Sequence, residues 1–284
     1  MKIILTGSNG LLGSSIKNIL IERGHICFPY SINRQGIDWN IDLRNNVLNS
    51  NSEVLIHAAA NTDVEACERD PLACFNDNTL TTELVAKLAF ELGLKLVFIS
   101  STGVYGNYKN TPYSENDECH PTTIHHKSKR ISEELITSLS ISNLIIRTGW
   151  LYGGSMDVKK NFVAQRIIEA KNKEIIFSNI EQFGNPCFND DIALRIVEMI
   201  ENESMGIFNC VNDKVASRFD YVRAIIECTG LKTKVLPATA DKFIRSAPVS
   251  NNEAAVNLRA EKLNYTPLPD WSVSLSKYID SLLS

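Results

Sequence analysis

The segment KIILTGSNGLLG, residues 2–13, constrains this chain more than any other. An apolar run with strand character leads straight into Gly7, Gly10 and Gly13, and a helical pattern over Leu11–Arg23 begins among them. Glycine lets the backbone turn sharply and approach a ligand closely, while the unpaired N–H groups of a helix's first turn attract an anion. Strand, glycine turn and helix in that order predict a dinucleotide pyrophosphate seated on Gly7, Ser8, Asn9, Gly10, Leu11, Leu12 and Gly13. The spacing is GxxGxxG rather than GxGxxG, so an ordinary tight strand-to-helix turn is the alternative.

The pattern around the loop repeats. HICFPY, EVLIHAA, KLVFISS and NLIIRT read as further strands, with helical stretches over about 71–92 and through SKRISEELITSL between them. Apolar runs alternating with amphipathic helices predict an α/β fold, a doubly wound parallel sheet of the Rossmann type covered by helices on both faces. The second half is less regular, with helical patterns near 161–172, 190–201 and 218–228, the strand KEIIFS, and a last helix after PLPDW. It suits a smaller C-terminal lobe. The expected division is a dinucleotide-binding domain over 1–150, joined by about 186–212, and a substrate-binding lobe from 151–185 and 213–284.

With 284 residues, 44% hydrophobic and 22% charged, the chain has material for a sizeable core. Net charge is −4 and the lysines and arginines are scattered, which argues against nucleic acid or a membrane surface as a partner. Seven cysteines, odd in number and without a CxxC pair, give neither a disulfide framework nor a metal site and fit a reducing cytoplasm. No apolar run approaches the roughly 18–20 residues of a membrane span, and MKIILTG runs directly into strand, so a cytoplasmic location is expected. The assembly state is open, a homodimer being one option.

An acid about 20 residues beyond the glycines would hold a ribose 2′-hydroxyl and select NAD. The second strand ends instead in PYSINRQG, where Ser31 and Arg34 suit a 2′-phosphate. NADP(H) is therefore the preferred cofactor, with NAD(H) the alternative, and Arg34 on a solvated loop the other reading of that residue. Asp42 and Leu43 are candidates for the adenine end, and Ala58, Ala59 and Ala60 are small enough for a cofactor to lie against the chain, although three alanines also suit plain packing. His57 on the same strand reads as a core residue.

These segments, with VLIHAAANTDVEACERDP, FISSTGVYG, KSKRISEE, IIRTGWLYG and EQFGNP, occur in the order of a known family. The chain resembles the extended short-chain dehydrogenase/reductases, and most closely the dTDP-4-dehydrorhamnose reductase family, along nearly its full length. The resemblance implies reduction of a 4-keto group on a nucleotide-linked deoxysugar by NAD(P)H, for surface polysaccharide. It assigns Ser101 to the keto oxygen and Lys129 to the nicotinamide ribose. It puts Asn61, Thr62, Thr102, Tyr105, Trp150, Asn161 and Gln182 on the substrate side, with Trp150 as a core aromatic and Asn161 as a helix cap left open. Thr102 replaces a usual aspartate, Cys187 a usual threonine, and RSAPVSNNEAAVNL keeps only part of a substrate loop, so the base on the sugar is not carried over.

The main departure is His125, which stands where the family's YxxxK pair has tyrosine. A tyrosine near an ammonium gives up its phenolic proton readily, whereas neutral imidazole does not, so His125 has to act as imidazolium. With a reference pKa of about 6.5 and Lys129 nearby, that form is disfavoured at neutral pH. Three readings stand at this point: His125 is a weaker acid suited to lower pH; a water, His126 or a substrate hydroxyl relays the proton; or the site binds without turnover. An epimerase is the same-class rival to a reductase, and tandem exposed polar histidines the plain reading of His125 and His126.

Overall fold

The computed structural model describes residues 1–32, 38–139, 142–158 and 160–283. The first half alternates strand and helix: β1 (Lys2–Thr6), α1 (Leu11–Glu22), β2 (Ile26–Tyr30), α2 (Trp39–Ser50) and β3 (Val54–His57). After α3 (Val64–Arg69), α4 (Pro71–Phe75) and α5 (Thr81–Glu91) come β4 (Lys95–Ser101), α6 (Ile124–Ser138) and β5 (Asn143–Thr148). The remainder begins with β6 (Leu151–Tyr152), α7 (Phe162–Asn172), β7 (Ile175–Asn179), β8 (Phe183–Gly184), β9 (Cys187–Phe188) and α8 (Asn189–Glu201). It ends with β10 (Gly206–Asn209), β11 (Ala216–Ser217), α9 (Arg218–Thr229), β12 (Lys234–Ala238), α10 (Leu258–Lys262) and α11 (Trp271–Leu283).

Six parallel strands form one sheet in the order β10-β5-β4-β3-β1-β2, the doubly wound architecture expected from the alternating pattern. Successive side chains of a strand point to opposite faces, and the apolar runs supply both. Ile3 and Leu5 pack with Leu12, Ile16 and Leu20 of α1 and with α8, while Ile4 between them packs against Leu43, Val85 and Ile136 on the other face. The i, i+4, i+8 spacing of Leu12, Ile16 and Leu20 makes a single stripe on α1. A separate core, around Tyr152, Ile167, Tyr221, Ile225, Leu275 and Ile279, joins α7, α9 and α11 into a second lobe beside the sheet.

Two differences from the sequence pattern have local causes. The helical stretch over 71–92 is α4 and α5 joined by a π-helical turn at Asn76–Leu80, which turns the Asn78 side chain inward. The edge strand β10 carries no long apolar run, because only one strand flanks it and Gly206 opens it at φ +93°.

Helix α6 is held on the sheet by a buried ion pair. Arg147 of β5 donates through Nε and Nη2 to the two oxygens of Glu133, at 3.0 and 2.7 Å, and Ser100 Oγ donates to the same carboxylate at 2.6 Å. Removing one partner leaves the other charge buried and uncompensated. Glu133→Ala is expected to lower unfolding stability by about 3–5 kcal/mol in urea titrations, with the native far-ultraviolet spectrum retained before the transition.

Candidate active site

The carboxyl ends of β1, β3, β4 and β5 open on one cleft of about 1160 Å³. Strand order reverses here, β2 lying on one side of β1 and β3 on the other, so the following loops diverge and leave a crevice. Gly7, Asn9, Gly10, Leu11, Leu12 and Gly13 line one end. Gly7 sits at φ +73°, and a Cβ there would lie 2.6 Å from the backbone N of Ala59. The loop therefore rests directly on the chain leaving β3. The Gly10 N–H donates to the Gly7 carbonyl at 2.9 Å, and the opening of α1 has neither a side-chain cap nor an acid in its first turn. Its first-turn N–H groups are left for an external anion. This cradle fits a dinucleotide pyrophosphate. Ser31 and Ala58, Ala59 and Ala60 also line the cleft, whereas Ser8 is buried outside its lining. Arg34 lies outside the described residues.

At the other end, β4 stops at Ser101, whose Oγ accepts from the Gly103 N–H at 3.2 Å and starts a 3₁₀ turn. Thr123 caps α6 by accepting the His126 N–H at 3.2 Å. This places His125, His126 and Lys129 on the helix face turned to the cleft, all three lining it and all buried. The reading of exposed tandem histidines is thereby corrected: the Thr123 cap and the packing of α6 on β4 turn both rings inward, while Lys127 of the same turn stays exposed. Lys129 Nζ donates to the Ile99 carbonyl at 3.0 Å and stands 4.7 Å over the Phe98 ring. Burial pushes its ammonium down to about 8, against the opposing pull of Cys74 and Glu133. The His125 Nδ1 faces the Asn78 amide at 3.5 Å. Burial first, then His126 and Lys129, hold its imidazolium well below the ordinary histidine range, with the Asn61 backbone opposing. His126 is also pushed down by burial and by Lys129, but Glu253 pulls it up.

Farther along the cleft, Trp150 is held at φ +46°, in the left-handed region that bulky residues avoid. Its indole Nε1 donates to Glu253 Oε2 at 2.9 Å, and the Arg218 guanidinium lies 3.4 Å over its ring. Gln182 Oε1 accepts from Arg218 Nε at 3.4 Å, and Lys160 Nζ donates to Thr62 Oγ1 at 2.9 Å. Burial lowers the Arg218 guanidinium to about 10, with Glu253 opposing. Thr62, Trp150 and Gln182 line the cleft together with Ser101.

Other residues singled out from the sequence have structural duties. Of the two candidates for the adenine end, Leu43 of α2 is fully buried in the core and Asp42 lies on α2 away from the cleft lining. Tyr105 is buried against Tyr113 and Arg147, its hydroxyl donating to Asn209 at 2.7 Å. Asn161 caps α7 and bonds the Tyr278 hydroxyl. Thr102 is buried beneath Gly149, and Asn61 orders its own turn by bonding Asn78, Asp77 and Asp63. His57 is a core residue as expected, set between Thr6 and Thr82 at 2.8 and 3.1 Å. Sequence reasoning passed over Arg218, Glu253 and Lys160, and named His126 only as one relay. Glu253 stands inside the loop RSAPVSNNEAAVNL without a role, Arg218 and Lys160 carry no motif of their own, and only folding brings them to the cleft.

A family model described as RmlD substrate binding domain matches residues 1–284. The chain belongs to this family. It is similar to the spore coat polysaccharide biosynthesis protein SpsK of Bacillus subtilis, 26% identical over 278 residues that cover 98% of this chain and 96% of that one. It also resembles the crystal structure of a dTDP-4-dehydrorhamnose reductase from Clostridium acetobutylicum, with a TM-score of 0.93, 28% identity and all of both chains covered. A dTDP-4-dehydrorhamnose reductase from Bacillus anthracis, solved in complex with NADP, superposes with a TM-score of 0.92 at 25% identity over 99% of each chain.

Two outcomes follow from the site's geometry. Gly7→Ala, which forces a Cβ into the Ala58–Ala59 backbone, is expected to weaken NADPH binding in fluorescence titrations by more than about tenfold, or 1.4 kcal/mol. The second concerns His57, whose imidazole burial holds down to about 3 against 6.5 unfolded. A folded pKa below the unfolded one gives stability that is complete above about 6.5 and is lost as pH falls toward 3. Between those limits His57→Asn is expected to reduce the acid slope of unfolding free energy by about 1.4 kcal/mol per pH unit, one proton's worth.

Proposed function

We propose that this RmlD-family protein is an oxidoreductase that reduces the 4-keto group of a nucleotide-linked deoxysugar with NADP(H), as a step in surface polysaccharide synthesis. The observation that carries the reading is the joining of the glycine cradle, Ser101, Lys129 and the paired histidines in one cleft at the sheet's switch point. The sugar-nucleotide and polysaccharide parts draw on the names of the relatives, and the choice of NADP(H) on the NADP complex of the Bacillus anthracis protein. It also draws on Ser31, which lines the cleft beyond a second strand ending without an acid.

The bound nicotinamide supplies hydride; the remaining work belongs to this chain. Ser101 can donate its hydroxyl to the keto oxygen, where negative charge grows as hydride arrives, while its own oxygen stays oriented by the Gly103 N–H. Lys129, fixed by the Ile99 carbonyl, holds positive charge on the side where a nicotinamide ribose would lie. The cationic Arg218 and Lys160 face the half of the cleft suited to a sugar diphosphate. Burial of Lys129, His125 and His126 keeps the reacting end dry, which strengthens each of these interactions.

With a panel of 4-keto nucleotide sugars and reduced cofactor, one equivalent of NADPH should be oxidised per sugar reduced. NADPH should be preferred over NADH, and Ser101→Ala should lower kcat by about 10²–10³. Cofactor binding without any oxidation across the panel would reject the reductase reading.

A further inference from the structure

The imidazole of His126 packs face-on against Gly103, so closely that a Cβ on residue 103 would overlap Nδ1, Cε1 and Nε2 of the ring. Gly103 is the residue whose N–H holds Ser101 Oγ. The ring of His126 is thus seated against the residue that hydrogen-bonds the hydroxyl assigned to the keto oxygen, two positions from Ser101, and the missing side chain at 103 makes its seat. His126 and Glu253 both line the cleft. The Glu253 carboxylate is anchored by the Trp150 indole at 2.9 Å, and Trp150 is held at φ +46° to reach it. A bulky residue in the left-handed region persists only where its surroundings over-determine it, and such residues gather at working sites.

The two histidines differ in what binds them. The Nδ1 of His125 is engaged by the Asn78 amide, its peptide carbonyl accepts from Ser128 Oγ at 2.7 Å, and no carboxylate raises its pKa. The His126 Nδ1 is buried with no hydrogen-bond partner among the described residues. The charged and titratable groups acting on His126 are Glu253, which favours its imidazolium, and Lys129 and the neighbouring His125, which disfavour it.

We infer that His126, which lines the cleft together with Glu253, is the proton donor that takes the place of the absent tyrosine, and that His125 is a packing partner for it. The inference rests on the reductase reading above. In the step, the keto carbon gains hydride from the reduced nicotinamide, the C=O π pair moves to oxygen, and that oxygen takes the proton of the His126 imidazolium. The ketone is reduced to an alcohol, the nicotinamide is oxidised, imidazole is left neutral and regains a proton from water. Glu253 stays a carboxylate throughout and acts by positioning charge. Because burial opposes the imidazolium, kcat/KM should rise toward acid, with a limb set by His126.

The test joins kinetics to a readout that needs no cofactor. Histidine NMR titration of the unliganded protein should show the His126 pKa falling in Glu253→Gln while His125 stays in place. In the pH profile of kcat/KM, Glu253→Gln should move the acid limb to lower pH, and His126→Asn should remove it with at least a hundredfold loss of rate. Folding and NADPH affinity of each variant are checked by circular dichroism and fluorescence, and Glu253→Gln carries the test if His126→Asn does not fold. A His126 titration indifferent to Glu253, or an acid limb that survives His126→Asn and disappears in His125→Asn, overturns the inference while leaving the reductase reading intact. A wild-type protein that binds NADPH and oxidises none of it with any keto sugar sinks both.

Discussion

One carboxylate holds the reactive end of this molecule together. Glu133 receives Arg147 from β5 and Ser100 from β4, so the helix carrying His125, His126 and Lys129 and the strand ending at Ser101 are pinned to a common point. Arg147 is pressed on the Tyr105 ring, which continues the contact into the turn after β4. A buried pair of this kind adds little net stability over an apolar substitute, but its directionality fixes relative positions in a way that apolar packing does not. Site geometry here depends on that fixing, together with the Lys129 bond to Ile99, because Ser101 and α6 are separated along the chain by more than 20 residues.

The opposite end of the cleft depends on close approach of backbone to backbone. The Gly7 turn lies on the Ala58–Ala59 chain, and α1 starts with its amides uncapped. An anionic ligand completes what the fold leaves unpaired. Between the two ends the cleft is crowded with cationic or protonatable groups, Lys129, Lys160, Arg218, His125 and His126, against a smaller acidic set that includes Glu253. Burial makes each of those charges harder to hold, which is why Lys129 and Arg218 are both stronger acids than in solvent, their protons less tightly kept. A dianionic sugar nucleotide and a phosphorylated cofactor would relieve that imbalance.

The replacement at position 125 is more than a single exchange. Gly103 is open because the His126 ring occupies the space above it, and Thr102 is packed beneath Gly149. Three segments meet here: the turn after β4, the start of α6 and the chain before Trp150. A proton donor moved by one residue along a helix points about 100° away from its predecessor. Only a side chain that swings back over a glycine, as His126 does, can face the same cleft.

The sequence by itself determined the sheet and the glycine cradle, because each is carried by local pattern, apolar runs and glycine spacing, while Ser101, Lys129 and the missing tyrosine were legible only through the family resemblance. It could not separate Thr62, Trp150 and Gln182, which line the cleft, from Tyr105, Asn161 and Leu43, which are buried in structural contacts, since both groups are apolar or neutral residues in equally suggestive segments. Tertiary structure decided that sorting. It also brought Arg218 and Glu253 to the cleft from distant segments, and turned His126 from an anonymous neighbour into a buried ring beside Ser101. The reason is that burial and charge pairing are properties of three-dimensional neighbours, and here those neighbours lie up to about 100 residues apart, as Trp150 and Glu253 do.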